Sequence, residues 1–77
     1  MIPNDQDVWL LRGPTAEALT AAGYPVSAAT LATKATRGGG PSYRLFGRRP
    51  LYRWGDALAW AESRLSEVRS TTVDNAA

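Results

Sequence analysis

Residues 37–54 read RGGGPSYRLFGRRPLYRW. Gly38-Gly39-Gly40-Pro41 ends any helix that precedes it, because glycine is the costliest residue to order and proline lacks the amide proton. Beyond this break, Tyr43–Phe46 and Arg49–Arg53 read as two short strands around a turn at Gly47-Arg48. Tyr43 and Leu45 alternate with Arg44, and Leu51, Tyr52 and Arg53 make a rougher second strand. Pro50 cannot donate to a ladder, which places its strand at an edge or at a bulge. A two-stranded ribbon is marginal alone and has to lean on other elements. The stretch carries five arginines and no acid.

Working outward, SAATLATKAT before the break predicts a helix over 27–36, with Ser27 as its N-cap. Leu31 and Ala35 lie four apart and share a face, with Ala28 close to it. Thr30, Thr33, Lys34 and Arg37 fall largely on other faces. Further upstream, GPTAEALTAAG predicts a helix over 14–22. Pro14 suits the first turn, Ala16, Leu19 and Ala22 recur along one side, and Gly23 suits the C-terminal cap. YPV makes a tight connection between the two helices. Val8-Trp9-Leu10-Leu11 reads as a short apolar anchor, and residues 1–7 as a loose N-terminus. Downstream, Leu58, Ala61, Leu65 and Val68 recur at helical spacing and predict a helix over 56–68. Asp56 stands in its first turn, where a carboxylate favours the helix dipole. Residues 70–77 have no periodicity and read as a disordered tail. The chain is thus a single domain over 8–69, mostly α with a small β-hairpin.

A chain of 77 residues is near the lower limit for a single core, and 44% hydrophobic residues leave little to spare. It has no cysteine and no histidine. That removes disulfides, thiolate metal sites, and the commonest general base and metal ligand. No carboxylate pair or nucleophile with a partner stands out, so neither an enzyme nor a cofactor is expected. No apolar run approaches the roughly 18 residues of a membrane span. The N-terminus MIPNDQD lacks a signal pattern, and the expected setting is cytoplasmic, at the nucleoid.

The formal net charge of +2 hides its distribution. Residues 34–53 carry a net +6 with no acid, whereas 1–33 and 54–77 each carry −2. A focused positive segment on a mildly acidic body is an electrostatic footprint for a polyanion. A solvated, Arg-rich hairpin is the plainer alternative.

Two short helices joined by a tight turn make a candidate helix-turn-helix. The second helix of such a unit enters the major groove, N-terminal residues nearest the bases. Ser27, Ala29, Thr30 and Thr33 are slim enough for that groove, and the threonines have hydroxyls and methyls to offer base edges. Lys34 and Arg37 are placed to reach phosphate. Any single threonine here is equally an ordinary surface residue. In a winged arrangement the hairpin becomes the wing. Arg48 and Arg49 beside Gly47 would enter the minor groove, where narrowness concentrates negative potential. Arg44 and Arg53 would meet phosphates. Tyr43, Tyr52, Trp54 and Trp60 read as glue between hairpin and helix, because duplex DNA offers no free base faces. Phe46 adjoins the tip and is expected to be exposed. No exposed aromatic sheet is expected, which argues against RNA.

The chain resembles the small excisionase and AlpA-like DNA-binding proteins, a branch of the MerR-like winged helix-turn-helix group. The resemblance covers about residues 10–66. It rests on Val26, Ser27, Thr30 and Leu31 opening the second helix; Gly39, Gly40 and Pro41 at the break; Phe46-Gly47-Arg48-Arg49 at the wing; Tyr52-Arg53; and Asp56, Ala59 and Trp60 in the last helix. The family's second helix is usually richer in arginine than SAATLATKATR, which shifts weight to the wing. Pro50 stands where a β-branched residue is usual, and GYP lengthens the inter-helix turn. The resemblance implies a double-stranded DNA-binding protein. It would act as an excisionase, or recombination directionality factor, bending attachment-site DNA for a tyrosine integrase. It also implies self-association along DNA. An AlpA-like transcriptional regulator is the alternative, and a protein-interaction module such as an antitoxin or antiactivator is a further one.

Overall fold

Val8-Trp9-Leu10-Leu11 is more than an apolar anchor. In the structure, a computed structural model that describes residues 2–65, Trp9–Leu11 forms a strand, β1. The other elements are α1 (Arg12–Ala21), α2 (Ala28–Arg37), β2 (Arg44–Phe46), β3 (Arg49–Arg53) and α3 (Trp54–Ser63). The expected two-stranded hairpin is therefore part of a three-stranded antiparallel sheet of order β1-β3-β2. Trp9 lies opposite Arg53, Leu10 opposite Tyr52 and Leu11 opposite Leu51, while Arg44 also faces Leu51 and Phe46 faces Arg49.

This order corrects the expectation that Pro50 marks an edge strand: β3 is central. The hairpin turn explains how. Gly47 has φ +65° and no non-glycine residue among those described has positive φ, so Gly47-Arg48 is a two-residue turn of type II′. Such a turn makes Phe46 and Arg49 a hydrogen-bonded pair and Leu45 and Pro50 a non-bonded one. The missing donor of Pro50 therefore points away from β2. On that side β1 has already ended at Leu11, opposite Leu51.

Helix α1 begins at Arg12, two residues before the expected start, and Pro14 still falls in its first turn, where no amide donor is required. It closes as the sequence predicts. Gly23 has φ +103°, Tyr24 N–H donates to Leu19 O at 2.8 Å and Gly23 N–H to Thr20 O at 3.1 Å, a Schellman motif. The Thr20 hydroxyl then bridges the turn, donating to Val26 O and accepting from Val26 N–H. Ser27 caps α2 as expected, accepting from Thr30 N–H at 3.1 Å.

Helix α3 starts two residues earlier than its periodicity suggests. It lacks a side-chain cap. The N-terminal segment supplies main-chain acceptors instead: Trp54 N–H donates to Val8 O at 2.9 Å and Gly55 N–H to Gln6 O at 2.8 Å. Gln6 approaches so closely that a Cβ on Gly55 would lie 3.1 Å from it. The helix ends at Ser63, whose hydroxyl bonds back to Trp60 O, and not at 68. Val68 and the expected tail lie outside the described residues.

The core forms where α1 and α3 meet the inner face of the sheet. Ala18, Leu19, Trp54, Ala57 and Ala61 are buried together, with Val8, Leu10, Tyr24 and Val26 packed against them. Burying Leu19 alone contributes about 1.5–3 kcal/mol. The α2 helix packs against α1 and buries only Leu31. No described helix is long and apolar enough to cross a membrane.

A Cβ on Gly23 would meet open space, so Gly23→Ala isolates the backbone strain of the α1 cap. It should cost about 1–2 kcal/mol and lower Tm by about 4–8 °C per kcal/mol in thermal denaturation. An unchanged Tm would show that the α1–α2 turn does not depend on that motif.

Candidate nucleic-acid interface

With one buried residue in ten, α2 is almost all surface. Ala29, Thr33 and Thr36 follow one another at i, i+4 and i+7 and form an exposed ridge, flanked by exposed Arg37. Thr36 was not among the expected contacts, although its spacing from Ala29 and Thr33 already places it in line with them. The hydroxyls are already in use. Thr33 donates to Ala29 O at 3.1 Å and Thr36 to Ala32 O at 3.3 Å. A hydroxyl that has given away its only proton presents an acceptor and a methyl outward. Ser27 and Thr30 are spent differently. Their hydroxyls bond each other at 2.9 Å while Ser27 caps the helix, so both are committed to the helix start.

Lys34 lies half-buried on the flank of α2 that faces the glycine break. A Cβ on Gly40 would sit 2.9 Å from its Cβ, so only glycine lets the chain pass over the last turn. Gly39 is fixed from the other side, because its carbonyl accepts from both Trp60 Nε1–H and the Arg64 guanidinium. The break is thus pinned to α3.

Arg64 apart, the described arginines divide into two sets. Arg12 donates to the Tyr52 hydroxyl at 3.0 Å and lies over the Tyr52 ring, and Tyr52 is buried. Arg53 sits between Asp7 and Asp56, bonding both carboxylates. The hydrogen bond to Asp7 lifts the Arg53 pKa above its ordinary value, and the charges of Asp7 and Asp56 add to it against partial desolvation. Because the folded-state pKa is the higher one, titration of the guanidinium itself removes this contribution only as pH rises above the ordinary arginine range, through the raised value. Arg53 was expected at a phosphate. Its charge is instead answered within the fold, by a residue far upstream and by the first turn of α3.

Arg44, Arg48 and Arg49 on the hairpin and Arg37 on α2 are exposed. Among the described residues none of them, nor Lys34, has a carboxylate within ion-pairing distance. Arg44 lies over the Trp9 ring, 5.2 Å from its centroid. Phe46, beside the turn, is 75% exposed, as its position suggested. The remaining aromatics split. Tyr52 and Trp54 are buried glue, whereas Tyr43 is 39% exposed and stacks obliquely on Tyr52. Among the described residues no cluster of acidic side chains is fit to hold a metal ion.

Thr33→Val keeps the shape and methyl of the ridge and deletes its acceptor. Because the hydroxyl bonds only the helix's own backbone, stability should stay within about 0.5 kcal/mol. A larger loss in chemical denaturation would assign Thr33 a structural duty instead. No family model, no curated protein and no solved structure matches this chain.

Proposed function

We propose that the chain is a sequence-specific double-stranded DNA-binding protein of winged helix-turn-helix design. In this reading α1 and α2 are the helix-turn-helix and β2–β3 the wing. What carries it is the separation of the arginines: those on the hairpin and on α2 are exposed and have no carboxylate partner among the described residues, while Arg53 is paired with Asp7 and Asp56 and Arg12 is hydrogen-bonded to the buried Tyr52. The Ala29, Thr33 and Thr36 ridge enters the major groove. There the threonine oxygens accept from the amines of adenine or cytosine, and their methyls meet thymine. Arg48 and Arg49 enter the minor groove at the tip that Gly47 turns, and Lys34, Arg37 and Arg44 meet phosphates. Phe46 travels with the tip but finds no free base face in a duplex.

The biological reading follows from the same parts. Five cations and one slim helix give a modest, salt-sensitive affinity. Several copies side by side on DNA compensate for that, as an excisionase would use them beside an integrase attachment site. The chain acts by binding and bending, without catalysis and without a cofactor.

A gel-shift titration on attachment-site DNA and on the promoter beside the gene, at two salt concentrations, tests this. A cooperative ladder on attachment-site DNA supports the excisionase role. A shift confined to the promoter moves the role to transcriptional regulation, and no shift on any duplex overturns DNA binding. Replacing Arg48 and Arg49 together by Ala should weaken duplex binding and reduce the slope of log affinity against log salt by about 2, near 0.9 per lost phosphate contact. Arg53→Ala should leave that slope unchanged, because its charge is already answered by Asp7 and Asp56.

A further inference from the structure

We infer that the outer face of the β1-β3-β2 sheet is a second binding surface, built for single-stranded nucleic acid. The register defines this face. Residues opposite one another in an antiparallel pair point the same way, and alternate residues along a strand point the same way. Leu10 and Tyr52 face the helices. Trp9, Arg44, Phe46, Arg49 and Leu51 therefore share the opposite face, together with Leu11 and the paired Arg53. No helix among the described residues covers it: Trp9 is 39% exposed, Leu11 37% and Phe46 75%.

An outward sheet face with this much apolar surface calls for an occupant, and its composition selects one. Two aromatic rings sit at opposite corners of the sheet, about 13 Å apart along the strands and two strand spacings, about 10 Å, across. Between them lie Arg44 and Arg49, with no carboxylate in ion-pairing range among the described residues. The acids nearest this face, Asp7 and Asp56, are engaged by Arg53. Rings interleaved with unanswered arginines offer stacking to bases and charge to a backbone. The guanidinium of Arg44, lying over Trp9, adds a flat cationic platform of the kind on which unstacked bases sit. A duplex cannot use these rings, because its bases already stack on one another. A strand whose bases are free can. An acidic protein would answer the arginines but leaves the ring spacing without a purpose.

The inference does not rest on the duplex-binding reading: the two share Arg44 and Arg49, but the rings of Trp9 and Phe46 serve only this one. Fluorescence anisotropy with oligothymidylate and oligouridylate of about 12 nucleotides, within the range a small domain covers, tests it directly. Saturable binding to either is expected. Phe46→Ala and Trp9→Leu leave every charge in place and should each weaken that binding roughly 5- to 150-fold, the range for losing one stacked base. The difference should persist in high salt, which screens charge but not stacking. The bound strand should also quench tryptophan emission, and Trp9→Leu should abolish the larger part of that quench. Equal affinities for the wild type and both variants would reduce the effect to charge and overturn the inference. So would duplex binding with no binding to either single strand, a result that leaves the proposed function standing. Sedimentation of the free chain as a dimer that Phe46→Ala dissociates, without single-strand binding, would give the face to a second copy and overturn the inference as well. Single-strand binding in the absence of any duplex shift would support it and remove the duplex reading instead.

Discussion

Trp9–Leu11 lying against Leu51–Arg53 is the contact on which the remaining geometry depends. A hairpin of three and five residues has too little surface to hold itself in water. The added strand makes β3 central and sets Leu10 beside Tyr52, so that one face of the sheet joins the core. The same segment continues as the cap of α3 through Val8 and Gln6, whose carbonyls take the amides that no side chain satisfies. One short stretch thus completes the sheet, fixes the last helix and delivers Asp7 to Arg53. Those three duties explain why a small core of alanines, one leucine and one tryptophan suffices.

From that contact follows the fate of the arginines on and beside the sheet. An arginine near the β1–β3 seam meets a partner: Arg12 finds Tyr52, and Arg53 finds Asp7 and Asp56. An arginine beyond the end of β1 meets water. The boundary falls at Leu51, the one residue of β3 paired with both neighbouring strands. Arg44 stands at that boundary and has an intermediate arrangement, with an aromatic ring beneath it and no carboxylate in range. The division of the positive charge is thus a result of how far one strand extends.

What was legible in the sequence was what local chemistry dictates. Ser27 and Gly23 announce their caps because one side-chain oxygen or one missing Cβ suffices. Gly38 to Pro41 announce the break, and Gly47 the turn. Val8–Leu11 was not legible as a strand, because four apolar residues without alternation carry no period, and its partner lies some forty positions away. The early start of α3 escaped for the same reason, since its cap comes from main-chain atoms of another segment. At the candidate interface, the exposure of Arg48, Arg49 and Phe46 could be read from their place at a turn. The pairing of Arg53 could not, since Asp7 is remote in sequence. Pro50 misled because proline in a strand suggests an edge, whereas β3 is central and lacks its β1 neighbour only over Arg49 and Pro50.

The long reach of the β1–β3 pairing also sets an order of events for the nascent chain. Val8-Trp9-Leu10-Leu11 leaves the ribosome ahead of its partner strand, which follows about forty residues later. At about 5–20 residues per second that is a wait of seconds, far longer than the microseconds in which a helix or hairpin forms. During that interval α1 and α2 can already take shape around their caps, while the apolar tetrapeptide waits without its partner strand. The sheet is therefore closed by a strand that has waited for a partner made long after it.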